Sequence, residues 1–228
     1  SGIDLDHPDL NVGFGANFVT TGGSDTPDDE HGHGTHVSGT IVAIDNEIDV
    51  VGVAPNATVH PVRVLSKSGF GMTDWIVAGI DFAAANALAG DCANMSLGGV
   101  GHQQSIHDAV SGAADLGILF SLAAGNESDS AEEFEPAHVE HPNVYTISAI
   151  DRFDVFASFS NYGNPPVDYA APGVSILSTR MGGGVTTMSG TSMAAPHVCG
   201  ILLSKGSPAT DGDAVNDPDG NPDPIAHF

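Results

Sequence analysis

The chain has 228 residues, 41% of them hydrophobic, which suits one folded α/β domain and excludes a disordered composition. Asp and Glu number 29 against 5 Lys and Arg, a formal charge of −24, so a phosphate backbone would be repelled and nucleic acid is excluded as a partner. No apolar run reaches membrane-spanning length and no signal-peptide pattern opens the chain; the acidity instead suits cations, cationic substrates or a salty medium.

Ser1 to Leu10 reads as a strand end running into a polar turn, and residues 20–30 as a Gly/Asp/Thr loop. The run His31-Gly32-His33-Gly34-Thr35-His36-Val37-Ser38-Gly39-Thr40 follows, with small and apolar positions that predict a short helix from His33. Three histidines so close could hold a metal, although no Glu lies between them as in His-Glu-x-x-His, or they could be ordinary solvated side chains. Val59–Leu65 is expected as a buried strand, residues 73–89 as a helix, Ala93–Met95 as a strand opening into glycines, and 105–117 as a helix. Gly117–Asn126 reads as a buried strand ending in a polar residue, the position where α/β sheets place ligand sites. Val144–Ile150, Asp168–Thr179 and Val185–Met188 are expected as further strands.

The run Gly190-Thr191-Ser192-Met193-Ala194-Ala195-Pro196-His197-Val198 opens a helix. Its proline is expected in the first turn, where a missing N–H costs nothing. Taken alone, Ser192 would be a capping serine. At the positive end of a helix it is equally well placed for a reaction that develops an oxyanion. Gly206 and Pro208 stop the helix, and 207–228 reads as a flexible acidic Pro/Asp-rich tail, with cation binding by Asp217, Asp219, Asn221 and Asp223 as the alternative. Cys92 and Cys199 sit in apolar stretches and are expected as buried free thiols, a disulfide remaining open.

The Ser192 run resembles the catalytic-serine motif of the subtilisin-like serine proteases (subtilases, peptidase S8). His33-Gly34-Thr35-His36-Val37-Ser38-Gly39-Thr40 resembles the histidine motif of that family, and Ala123-Ala124-Gly125-Asn126 its oxyanion motif. The resemblance covers about residues 1–203, with the three motifs in the family's chain order. It implies an α/β fold, a three-layer sandwich with a mostly parallel central sheet and helices on both faces. A catalytic domain over 1–206 and the tail over 207–228 complete the expected organisation.

The same resemblance implies a secreted, extracellular serine endopeptidase. Ser192 would be its nucleophile, His33 its base and Asn126 its oxyanion donor. It sets the triad aspartate immediately before the pair Ser1-Gly2, so Asp4, Asp6 and Asp9 do not fill that role, and the chain as it stands is expected to be impaired. Ser68, Gly69, Phe70 and Gly71 would form the edge to which substrate adds as a strand. Ser96, Leu97, Gly98 and Gly99, with Ala123, Ala124 and Gly125, would wall a roomy apolar pocket, hence cleavage after large apolar residues. A structural calcium ion would be held by the Asp9 carboxylate, the Asn46 side chain and the carbonyls of Ile44, Ile48 and Val50. An N-terminal propeptide and a monomeric state are implied as well. Two other readings compete: a non-catalytic peptide-binding module of the same fold, and a zinc hydrolase built on His31, His33 and His36.

Overall fold

A computed structural model describes all 228 residues. They form two compact units, Ser1–Ala87 with Leu177–Thr187, and Leu88–Ile176 with Met188–Phe228.

The first unit holds short strands β1 (Asn11–Val12), β2 (Ala16–Asn17), β3 (Thr58–Val59) and β4 (Val62–Arg63), and helices α1 (His33–Val42) and α2 (Thr73–Asn86). Val59–Leu65, expected as one strand, is two: β3 pairs with β1 and β4 with β2, both parallel. His60-Pro61 divides them, since proline has no N–H to continue a ladder. Arg63 is fully buried. Its guanidinium meets the Glu30 carboxylate and donates to the Asp28 carbonyl at 2.9 Å, which discharges much of the cost of burying it.

The second unit holds β5 (Cys92–Met95), β6 (Gly99–Val100), α3 (Gln104–Asp115), β7 (Leu119–Ala123), β8 (Phe134–Glu135), β9 (Val144–Ile150) and β10 (Val167–Pro172). Next come β11 (Ile176–Thr179) and β12 (Val185–Met188), which pair with each other and mostly belong to the first unit. Then follow α4 (Thr191–Lys205), β13 (Ala209–Asp213) and β14 (Pro224–His227). The central sheet has the order β13-β14-β10-β9-β7-β5. Every pair in it is parallel except β13 with β14. Alternation along β7 turns Leu119 and Ala123 to α4, where they join Ile147, Ala149, Ala171, Ala194, Ala195, Val198 and Leu202 in one core. α3 buries Ile106, Val110, Ala113 and Ala114 and packs against β7. The expected α/β architecture is present.

Several local expectations are corrected. Asp168–Thr179 is two strands, because the chain turns at Gly173. A Cβ there would lie 2.5 Å from the Ala149 Cβ and 2.9 Å from the Gly190 carbonyl oxygen. Cys92 and Cys199 are joined in a disulfide, their Cα atoms 5.7 Å apart, not free thiols. Strand β5 lies under α4, and the two apolar stretches that suggested burial are neighbours in one core. The tail is folded too: β14 adds parallel to β10, β13 pairs antiparallel to β14, and Asp223 between them is fully buried. Its composition hid the strands, since the apolar residues that pack, Ala214 and Ile225, are few.

Candidate active site

Pro196 is not in the first turn of α4. The helix begins at Thr191, so the proline stands in its interior and its ring leaves the Ser192 carbonyl without an intrahelical donor. Ser96 supplies one: its Oγ–H donates to that carbonyl at 2.7 Å. The sheet-side hydroxyl of Ser121 donates likewise to the Ala195 carbonyl at 2.8 Å. A strand thereby repairs the break that the proline makes, and fixes the first turn of α4 against β5 and β7.

The capping position is Gly190, with φ 152° and ψ 163°, a conformation open essentially to glycine. Ser192 is therefore the second residue of the helix and its hydroxyl caps nothing. It is half-buried, with Oγ 3.5 Å from the Ser96 carbonyl oxygen, too long for a firm bond. Its backbone N–H belongs to the first turn, whose N–H groups have no intrahelical acceptor.

Asn126 lies beside this turn. Its Oδ1 accepts the Thr191 N–H at 2.8 Å and faces the Thr191 Oγ1 at 3.2 Å. With the oxygen so anchored, the Nδ2 hydrogens are turned elsewhere as donors. Gly125, at φ 111°, makes the approach possible: a Cβ there would lie 2.1 Å from the Asn161 Nδ2. Asn161, fully buried, pins the loop by donating to the Ala124 carbonyl and accepting from the Glu127 and Asp129 N–H groups. Thr191 and Asn161 were not singled out from sequence. Thr191 stood inside the serine motif, but Asn161 carries no local signal.

The residues expected to wall a pocket differ in exposure. Ala123 and Ala124 are buried in two separate cores, so neither methyl widens a cleft. Ser96 is buried and occupied with α4, whereas Gly98 and Gly99 are exposed.

The histidine segment belongs to the first unit. Asp29, 5% exposed, gathers the start of α1. Its Oδ1 accepts the His31 and Gly32 N–H groups and the Ser1 hydroxyl, and its Oδ2 the Thr35 N–H and hydroxyl. Burial would push its carboxyl up, but the bonds from Thr35, Gly32 and His31 outweigh it and hold the pKa below the usual carboxylate value. Asp29 stands just ahead of a helix start, where acidic residues are favoured. His33, the first residue of α1, is half-buried. Its pKa is lowered to about 4, by burial first and also by His31, against the pull of Asp29. It is a neutral imidazole at pH 7, ready to accept a proton. His31 is exposed and its ring centroid lies 6.2 Å from that of His33, while His36 is fully buried one turn along.

Ser68, Gly69 and Phe70 are exposed on a turn closed by the Ser66 N–H to Phe70 carbonyl bond at 2.8 Å, with Gly71 behind them. Ser66, Ser68, Phe70 and Trp75 line a groove of about 350 Å³ with Thr21, Gly22 and Lys67.

The loop 44–50 meets Asp9, which is fully buried. The Asp9 oxygens accept from Asn46 Nδ2 at 2.8 Å and the Val50 N–H at 3.4 Å, and the Ile44 N–H donates to its carbonyl at 3.1 Å. No cationic side chain balances this carboxylate. Both carboxylate oxygens are met by N–H donors, whose place a hard cation would have to take. Asn46 Oδ1, expected as a ligand, accepts the Ile48 N–H at 2.7 Å.

Comparison with known proteins agrees with these motifs. The Subtilase family (peptidase S8) matches residues 1–205. Subtilisin of Bacillus pumilus is 43% identical over 209 residues, 90% of this chain and 74% of the relative. Subtilisin E of Bacillus subtilis (strain 168) is 43% identical over 209 residues, 90% of this chain and 54% of the relative. An intracellular serine protease of Paenibacillus polymyxa is 44% identical over 210 residues, 89% of this chain and 63% of its own length. The chain thus spans about half to three quarters of the length of these relatives. Among solved structures, a cold adapted subtilisin-like serine proteinase superposes with a TM-score of 0.87 at 36% identity, over 99% of this chain and 85% of that one.

Proposed function

The chain belongs to the subtilase family of subtilisin-type serine proteases, and from that premise we propose that it is a serine endopeptidase acting through Ser192, His33 and Asn126. The observation that carries the reading is the anchoring of Asn126. Its oxygen is tied to the Thr191 N–H, one residue before Ser192, so an amide donor and the Ser192 N–H stand at one helix start. Ser192 Oγ attacks the peptide carbonyl. His33 takes the hydroxyl proton and returns it to the leaving amine. The negative oxygen that forms is stabilised by Asn126 Nδ2 and the Ser192 N–H, helped by the positive end of α4.

In the family motif the orienting aspartate comes immediately before the Ser-Gly pair that here is Ser1-Gly2. An aspartate added ahead of Ser1 would orient His33 and stabilise its charged form. It should raise turnover by about 10⁴-fold. Exposed Ser68–Phe70 and Gly98–Gly99 offer backbone for an extended peptide. Calcium, held by Asp9, Asn46 and the carbonyls of Ile44, Ile48 and Val50, would neutralise the buried Asp9 and stiffen the loop; it takes no part in the chemistry. Secretion, a propeptide and a monomeric state are carried over as family expectations. No helix is long and apolar enough to cross a membrane.

The test is hydrolysis of internally quenched peptides by the chain with and without the added aspartate. Asn126→Ala should lower kcat by about 10²–10³-fold with little change in KM. Activity that survives in Ser192→Ala, or that is lost to chelators and restored by zinc but not calcium, would overturn the reading. Strict cleavage after Lys or Arg would remove the large-apolar preference alone.

A further inference from the structure

The exposed glycines Gly98 and Gly99 rest on a residue that peptide hydrolysis does not itself use. β6 and β8 form a ribbon of two short strands, in which Gly99 pairs with Glu135 and Val100 with Phe134. A Cβ on Gly98 would lie 3.1 Å from the Glu135 carbonyl oxygen. The Glu135 side chain reaches the far end of the same segment, where its Oε2 accepts the Gln103 N–H at 3.1 Å, at the start of α3. One residue therefore grips 99–103 at both ends, by its backbone and by its carboxylate. A two-stranded ribbon is marginal by itself, so the second hold matters.

Glu135 is 4% exposed and its Oε1 has no hydrogen-bond partner. No lysine or arginine faces it; its titratable neighbours are His138, His107 and His102. His138 Nδ1 lies 3.3 Å from Oε2. The same nitrogen lies 3.1 Å from the Phe134 carbonyl oxygen, which can only accept. Nδ1 thus carries a hydrogen, and Nε2 is the atom left to take up a proton. The rings of His102 and His107 stand 4.2 Å and 5.7 Å from that of His138, centroid to centroid, so charge on one ring disfavours charge on the others. Asp108 faces His107, its Oδ1 3.6 Å from Nδ1. Burial pushes the Glu135 carboxyl above its ordinary value, against the Gln103 bond and the pull of the three imidazoles. A carboxyl raised in this way contributes stability that is lost as pH rises, and loss of the imidazole proton acts in the same direction.

We propose that Glu135 and His138 are positioning residues for the segment 99–103, clamping it while the imidazole is protonated and loosening it when the proton leaves. The proposal rests on the reading of Gly98–Gly99 as backbone for an extended peptide. With the imidazolium in place the buried carboxylate is paired, and Oε2 stays on Gln103. Without it the carboxylate is buried beside neutral rings, and turning out to water, which releases the Gln103 N–H, becomes the cheaper arrangement.

Hydrogen exchange and peptide binding at pH 6 and pH 8 test the clamp, both in the Ser192→Ala chain so that no hydrolysis intervenes. The Gly101 and Gln103 amides, referred to free-peptide exchange at each pH, should be about threefold or more better protected at pH 6, and an uncharged extended peptide should bind about threefold tighter there. Both differences should vanish in Glu135→Gln, whose amide keeps an acceptor for Gln103 without the charge, and in His138→Gln. They should persist in His141→Gln, which removes the separate His141–Asp115 pair. Circular dichroism on each variant keeps loss of fold apart from loss of the clamp. Equal protection at the two pH values in a folded chain, differences that survive in both Glu135→Gln and His138→Gln, or protection that changes with pH while peptide affinity does not, would overturn the proposal. A chain that binds the peptide as expected, yet hydrolyses none with Ser192 restored, would count against the peptidase reading alone.

Discussion

Asp29 of the first unit and Asp223 of the second are equally hidden, 5% and 0% exposed, yet their environments push them in opposite directions. Asp29 accepts five hydrogen bonds, three of them from backbone N–H groups at a helix start, and its pKa falls below the usual value. The Asp223 side chain accepts one, from the Ser148 hydroxyl at 2.5 Å, and its Oδ1 has no partner. Burial pushes its pKa up to about 7, and the charges of Asp217, Asp219 and Asp168 add to the shift. Burial raises both carboxyls alike; the supply of donors decides which stays charged. In a chain so acidic, few carboxylates can find a cation, and backbone donors take that place.

The largest expected effect comes from breaking the well-supplied partner. Asp29→Ala orphans the N–H groups of the α1 start and should cost about 3–5 kcal/mol, read as a shift in urea midpoint. It should also slow catalysis, since the same N–H groups place His33. Next is the covalent tie that the second unit has and the first lacks. The Cys92–Cys199 bridge spans a sequence separation of 107 residues. Replacing both cysteines with alanine should cost about 2–5 kcal/mol.

Asp223→Asn should move stability the other way. The amide keeps an acceptor for Ser148 and carries no charge to bury. A raised folded pKa gives stability that is complete below the unfolded value and lost as pH rises through about 7. The variant should therefore gain about 1–3 kcal/mol at pH 8 and nothing near pH 3. Asp168, raised to about 6 mainly by burial, adds a loss of the same sign near pH 6. His33 does the reverse: its lowered pKa gives stability that is full above about 6.5 and lost as pH falls towards about 4. Denaturation profiles of wild type and Asp223→Asn from pH 4 to 8 check both signs. The smallest effect probes the proline repair. Ser96→Ala should cost about 1 kcal/mol by orphaning the Ser192 carbonyl, and Pro196→Ala in that background should return part of it by restoring an N–H.

What was legible from the residues was what repeats locally. The helix from His33, the stop at Gly206 and strand Val144–Ile150 follow from spacing and breakers, and the three motifs name His33, Ser192 and Asn126 together. What was not legible depends on residues far apart in sequence. Pro196 suggests a first-turn position until Ser96, 96 residues from Ser192, is seen to replace the lost donor. The disulfide needs β5 beneath α4. Asp223 reads as one acid among many in a tail until β14 docks on β10 and Ser148 meets it 75 residues away. Ala123 and Ala124 suggest a pocket by motif, and their burial in two cores follows only from the packing of β7.

The most direct test of the account is intact mass after treatment with a fluorophosphonate, in calcium and moderate salt, on the chain carrying an aspartate ahead of Ser1. One adduct mapped to Ser192, absent in Ser192→Ala and slowed in Asn126→Ala, is the predicted result. A folded protein that gains no adduct, or gains it at another residue, would contradict the account and leave a peptide-binding relative of the subtilases.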